Sequence, residues 1–400
     1  MLSILHPQIV PVVQDFPGGL LPVSVGNESR PKLIVKTTKE MLLAAKVNRG
    51  FKIYVIPMTL AGNETIGLIS AFFDDEDEPL VIFTPLFGDD GPMRDLLEAL
   101  KCDTLDIHFF DEHTRELLGY VATLNCPPTT KDRLTSSSLC TFDRALAISA
   151  LNQMPVWFGQ RSHDDDLSAI EIVFGESLIP DDIFYLDARP NNHDYHGSSD
   201  FSFSQLEREE PGGFQEQDIA HLLKKLFSPK QIYMNPLRIT DRKEIADLLV
   251  LTESEVIVVQ AKDSPNIERV LRNDIERKRS TTRKALDKAI SQEQGAIRYM
   301  RSISPLKILV GGETLEIDIS RQTFRALIVV KELFDDEYSV YSPPILKLSE
   351  ETQVPCIALD YGELHMYMAK LSSEEAFFQA FDRVFSHGVK TGKFPRLRIW

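Results

Sequence analysis

Residues 242–264 read RKEIADLLVLTESEVIVVQAKDS. Two apolar runs, LLVL and VIVV, flank the polar stretch TESE, and this pattern predicts two strands joined by a tight turn. Asp247 stands at the start of the first strand, and twelve residues separate it from Gln260 near the end of the second. Side chains alternate along a strand, so Gln260 and Lys262 share one face and Ala261 takes the other. If the strands pair about TESE, Asp247 meets Gln260 at one end of the sheet. Three polar groups then converge on the edge of an otherwise apolar sheet.

Such a trio suits phosphodiester hydrolysis. Mg²⁺, or Mn²⁺ in its place, is a hard cation that takes oxygen ligands. Asp247 offers a carboxylate, Gln260 its side-chain carbonyl and Ala261 its backbone carbonyl. Lys262 is placed to orient a water or to stabilise developing negative charge. Gln in place of Glu removes one negative charge and weakens the metal site.

The flanks have a helical rhythm. FQEQDIAHLLKKLF repeats apolar residues at Phe214, Ile219, Leu222, Leu223 and Leu226, and TTRKALDKAISQEQGAIRYM does so at Ala285, Leu286, Ala289, Ile290, Ala296 and Ile297. FRALIVV and PCIALD read as buried strands, and EEAFFQAFDRVFSH as a last amphipathic helix. Helix, Asp-bearing strand, Q-x-K strand and helix in this order resemble the PD-(D/E)XK nuclease superfamily in its Q-x-K, Mrr-like variant. The resemblance covers about 212–300 in motifs and 320–390 in pattern only. It implies a restriction-endonuclease-like α/β domain, a central mixed sheet flanked by helices, with Asp247, Gln260 and Lys262 catalytic. Glu216 matches the glutamate near the start of that family's first helix, although here the text is F-Q-E and no proline precedes Asp247. Lys288, Gln292 and Gln294 are candidates for residues of the following helix that face the site.

Upstream, KLIVK, FKIYVIPM, TIGLISAFF, PLVIFTPLF, LDIHFF and LLGYVATL read as strands, and MRDLLEAL after the turn GDDGP as a helix. Residues 1–125 are expected to form an α+β domain with an antiparallel sheet. CPPTTKDRLTSSS (126–138) reads as a linker, TFDRALAISALNQM as a helix capped by Ser138 or Thr141, and SAIEIVFG and DIFYLDA as strands. Whether 126–200 completes the first domain or stands beside it is open. A linker is expected at 201–213, ahead of the nuclease-like domain at 214–400. HDDD (163–166) reads as a solvated loop. HFFDEH (108–113) and HDYHG (193–197) carry His and carboxylates, but their flanks favour loops over zinc sites.

The chain has 400 residues, 43% of them hydrophobic, and a formal net charge of −16. That charge weighs against non-specific coating of nucleic acid, which rests on clustered Lys and Arg. Yet 269–301 holds ten Lys/Arg against four Asp/Glu, a local basic face. Arg277, Lys278, Arg279, Arg283, Lys284, Lys288 and Gln292 are its candidate phosphate contacts. Cys102, Cys126, Cys140 and Cys356 are far apart, which suits a reducing cytoplasm. The N-terminus lacks the pattern of a signal peptide, and no apolar run reaches the roughly 18 residues of a membrane span. There is no P-loop, G-x-S-x-G or G-x-G-x-x-G. The expectation is a cytoplasmic Mg²⁺-dependent DNA endonuclease. The resemblance implies bacterial anti-phage or foreign-DNA defence; the architecture suggests an N-terminal region that senses a trigger or holds the nuclease in check, and that offers a surface to a protein partner. Double-strand cutting implies a homo-oligomer. An inactive nuclease-like scaffold and an RNase are the alternatives.

Overall fold

The computed structural model describes residues 1–25, 30–88 and 91–396. Asp89 and Asp90 of the expected GDDGP turn lie outside the described residues. The N-terminal part is built on an eight-stranded sheet. In spatial order its strands are Gly19–Val23, Lys32–Lys36, Thr104–Phe110, Glu116–Asn125, Ile170–Ser177, Gly50–Leu60, Asn63–Phe72 and Leu80–Pro85. Lys32–Lys36 runs parallel to Thr104–Phe110, so the sheet is mixed rather than antiparallel. Alternation of side chains fixes which face is buried but leaves strand direction open.

Ile170–Ser177 lies inside this sheet, between Glu116–Asn125 and Gly50–Leu60. This stretch of 126–200 therefore belongs to the first domain. Two expected loops in it are helices. Pro128–Ser136 is helical with proline in its first turn, where a missing N–H costs nothing. His163–Ser168 is helical because Ser162 and Asp165 form a capping box. The helix Arg144–Gly159 is capped by Asp143, not by Ser138 or Thr141: the Asp143 carboxylate accepts from the Ala145 and Leu146 amides. The expected linker 201–213 holds the strand Ser202–Gln205, which pairs with Phe184–Asp187 as a two-stranded ribbon.

The C-terminal part is α/β. Its five-stranded mixed sheet runs Ile232–Met234, Leu248–Leu251, Glu255–Lys262, Thr323–Val330 and Cys356–Asp360. The first three strands are antiparallel and the last three parallel. Val256 to Ala261 are all buried, as expected of a central strand covered on both faces. The helices Gly212–Leu223 and Ile275–Ser302 both pack on that strand. Further helices, Tyr338–Thr352, Tyr361–Lys370 and Glu374–Thr391, flank the sheet. Sequence reading missed Tyr361–Lys370, Tyr338–Thr352 and the hairpin Leu306–Val310/Glu313–Ile317. No helix among the described residues is long and apolar enough to cross a membrane.

Candidate active site

The turn at TESE closes the hairpin, with the Thr252 amide donating to the Glu255 carbonyl at 2.9 Å. The register pairs Leu248 with Val259, so Asp247, one residue before its strand, comes opposite Gln260. The Ala261 amide and Lys262 Nζ both donate to Asp247 Oδ2, the latter at 3.0 Å. Lys262 Nζ also donates to the Ala261 carbonyl. A carbonyl oxygen has two lone pairs, so this bond leaves Ala261 able to accept once more. Asp247, Gln260 and Lys262 thus meet at one strand end.

Gln260 is only 2% exposed, and its Oε1 has no hydrogen-bond partner. A buried acceptor left unsatisfied costs about 1–3 kcal/mol. A cation liganded there would remove that cost. The donor set, one carboxylate, one amide oxygen and one backbone carbonyl, is the oxygen chemistry a hard divalent ion accepts. It differs from a cluster of three His, Cys, Asp or Glu side chains, and no such cluster exists among the described residues.

Two helices add carboxylates. Glu216, in Gly212–Leu223, has its pKa pushed up to about 7 by burial and by the Asp247 charge, against weaker opposing effects of Asn235 and Lys262. Glu293, in the long helix Ile275–Ser302, is fully buried and neither carboxylate oxygen has a partner. Burial, then the Asp247 charge, pushes its pKa well above the usual carboxylate range. The Leu327 amide and Lys262 oppose this without either Glu293 oxygen completing a hydrogen bond. Glu244 is an exposed residue whose carboxyl is partly desolvated, and this together with the Asp247 charge raises its pKa. Asp247 therefore contacts Lys262, and three further carboxyls that feel the charges of both are held up toward the neutral form.

Glu293 is the residue that sequence reading missed. It lies on the buried stripe of its helix with Ala289, Ala296 and Met300, and a glutamate inside an apolar i, i+4, i+7 stripe is the signal that would have found it. The residues named in its stead point elsewhere: Lys288 and Gln292 are exposed, and Gln294 donates to Glu351. The basic face also divides. Lys278 is paired with Asp74, Arg279 with Glu78, Glu276 and Asp336, and Arg283 with Glu337. Arg277 and Lys284 are exposed. The histidines of the two His-bearing segments make protein contacts: His108 bonds Glu116, His113 bonds the Tyr361 hydroxyl, His193 bonds the Asp187 carbonyl and His196 stacks on Tyr233. In comparisons with known proteins, no family model matches the chain and no curated protein matches it.

Proposed function

We propose that the chain is a divalent-metal-dependent endonuclease that hydrolyses DNA phosphodiester bonds, with a restriction-endonuclease-like fold of the Q-x-K type in its C-terminal half. One observation supports this reading above the others. Asp247, Gln260 and Lys262 converge on one strand end, where a buried Gln260 oxygen lacks any protein partner. Asp247, Gln260 and the Ala261 carbonyl would hold Mg²⁺, or Mn²⁺ in its place. When bound, the metal supplies polarisation of the phosphate and acidification of a water. Lys262, tethered by Asp247, orients the attacking water and stabilises charge that develops on the phosphate. Glu216, with its pKa near neutrality, is suited to accept a proton from that water.

Arg277, Lys284, Lys288 and Gln292 line the exposed side of the long helix and are the phosphate contacts in this reading. Lys278, Arg279 and Arg283 instead brace the helix against neighbouring carboxylates. The N-terminal region senses or regulates, double-strand cutting calls for a homo-oligomer, and the setting is a bacterial cytoplasm under attack by foreign DNA. Plasmid incubated with Mg²⁺ tests the proposal. Cutting by the wild type that is lost with EDTA and with Asp247→Asn supports it; no cutting, or equal cutting by Asp247→Asn, rejects it. A labelled RNA strand in parallel decides between deoxyribonuclease and ribonuclease. The ion pairs on Lys278, Arg279 and Arg283 favour a second reading, a nuclease-like scaffold. In that reading Mg²⁺ produces no cleavage of either polymer.

A further inference from the structure

The N-terminal domain meets the C-terminal sheet through a seam of buried charges that lies outside the candidate site. Lys39, which opens the helix Lys39–Asn48, donates to Asp218 at 2.8 Å and lies 3.6 Å from Asp111. Arg115 donates to the other oxygen of Asp218 at 3.0 Å. Arg208, on the segment joining the domains, lies 3.4 Å from Asp263. Side chains in these pairs are at most 15% exposed. Burial alone would raise the Asp218 carboxyl, but Lys39 and Arg115 outweigh it and hold the group well below the usual carboxylate range. The cavity between these groups encloses about 10 Å³, room for about one water. The seam is tightly packed, although Arg208 Nε and Nη1 and Asp263 Oδ2 complete no hydrogen bond within it.

Its partners sit directly behind the site. Asp218 is two residues beyond Glu216 on the same helix, a rotation of about 200°, so the two side chains leave on nearly opposite sides. Asp263 follows Lys262 without a gap. The chain after it is gripped further. Asn266 exchanges two backbone hydrogen bonds with Arg208 (3.0 and 2.9 Å) and donates from its side chain to the Leu206 carbonyl. Leu206 and Leu271 are buried within the N-terminal core. Removing one member of a buried pair leaves the other charge uncompensated, and that charge reaches water only if the seam opens.

We propose that Asp218 and Asp263 are positioning residues, through which Lys39 and Arg208 let the N-terminal domain fix the Glu216 helix and the Lys262 strand end, and so set the geometry of the candidate site. The proposal rests on the nuclease reading of that site. Hydrogen exchange of the full chain, followed by mass spectrometry, tests it. In Lys39→Met, peptides covering Gly212–Leu223 and Glu255–Lys262 are expected to exchange about tenfold faster or more. Lys39→Arg restores their protection. Lys32→Met breaks a pair with Asp106 inside the N-terminal sheet and leaves both peptides as in the wild type. On plasmid, Lys39→Met lowers kcat at unchanged KM. Unchanged exchange in Lys39→Met, or equal loosening in Lys32→Met, overturns the proposal. Should Lys39→Met fail to fold, Asp218→Asn is read by the same criteria. If the wild type neither binds Mg²⁺ nor cuts, the nuclease reading fails, while the exchange comparison still decides the positioning role.

Discussion

Among the described residues, Glu116 and Glu293, one in each half of the molecule, both have no exposed surface, and the fold treats them in opposite ways. Glu116, in the N-terminal sheet, accepts from the Leu2 and Ser3 amides, the Ser3 hydroxyl and His108 at 2.7–2.9 Å. Burial would raise its pKa, but these donors outweigh burial and hold it below the usual value. Glu293 completes no hydrogen bond, and burial outweighs the Leu327 amide and raises its pKa well above the usual value. A carboxylate closed by protein donors is a structural joint. One left open within the field of Asp247 and Lys262 retains a cost that a ligand or a proton relieves. The same residue type closes a joint in one domain and, in the proposed reading, borders the chemistry in the other.

Four changes break or sharpen that contrast. The largest effect is expected at the open site: Lys262→Ala lowers the plasmid-cleavage rate about 10²–10³-fold, as loss of one group that stabilises developing charge does. Equal cutting by both proteins would remove Lys262 from the mechanism. Next comes the closed site. Glu116→Ala strands a buried histidine and two amides and destabilises by about 3–5 kcal/mol in denaturant unfolding, while cleavage per folded molecule stays as in the wild type. Third, Glu293→Met removes an unsatisfied buried carboxyl and stabilises by about 1–2 kcal/mol; a loss of stability would mean that Glu293 is satisfied after all. Smallest is the pH response of Glu216. Its folded pKa, about 7, lies above the unfolded value, near 4.5. The folded form therefore binds the extra proton more tightly. Its contribution to stability is fully present below pH 4.5 and declines as pH rises through 7. Midpoints of urea unfolding should fall across that window, and less so in Glu216→Gln. Over the same window Mg²⁺ affinity should rise, because Glu216, whose charge is felt together with that of Asp247, becomes a negative charge near the cation.

How much of this was legible in the sequence depends on how far apart the partners lie. Asp247 and Gln260 share one hairpin, so alternation and a short turn were enough to set them opposite each other. The helices before and after were legible from their periodicity. Glu293 was not, because its stripe was read for its apolar members and the single carboxylate was passed over. The fate of Lys278 and Arg279 was not legible either. Their partners Asp74 and Glu78 lie about 200 residues upstream, and no local pattern encodes such a pairing. The same holds for Lys39 and Asp218, which are 179 residues apart. Prolines at 127 and 128 and the run HDDD were read as loops from composition. The positions of proline in the first helical turn and of Ser162 as a cap decided otherwise.

The central claim is that Asp247 and Gln260 form an oxygen site open to a divalent cation, and Mg²⁺ titration calorimetry on the full chain tests it most directly. Saturable binding to the wild type is expected, strengthening from pH 6 to about 8 as the neighbouring Glu216 ionises, weakening in Gln260→Ala and vanishing in Asp247→Asn. Absence of binding to the wild type, or the same isotherm from Asp247→Asn, would contradict it.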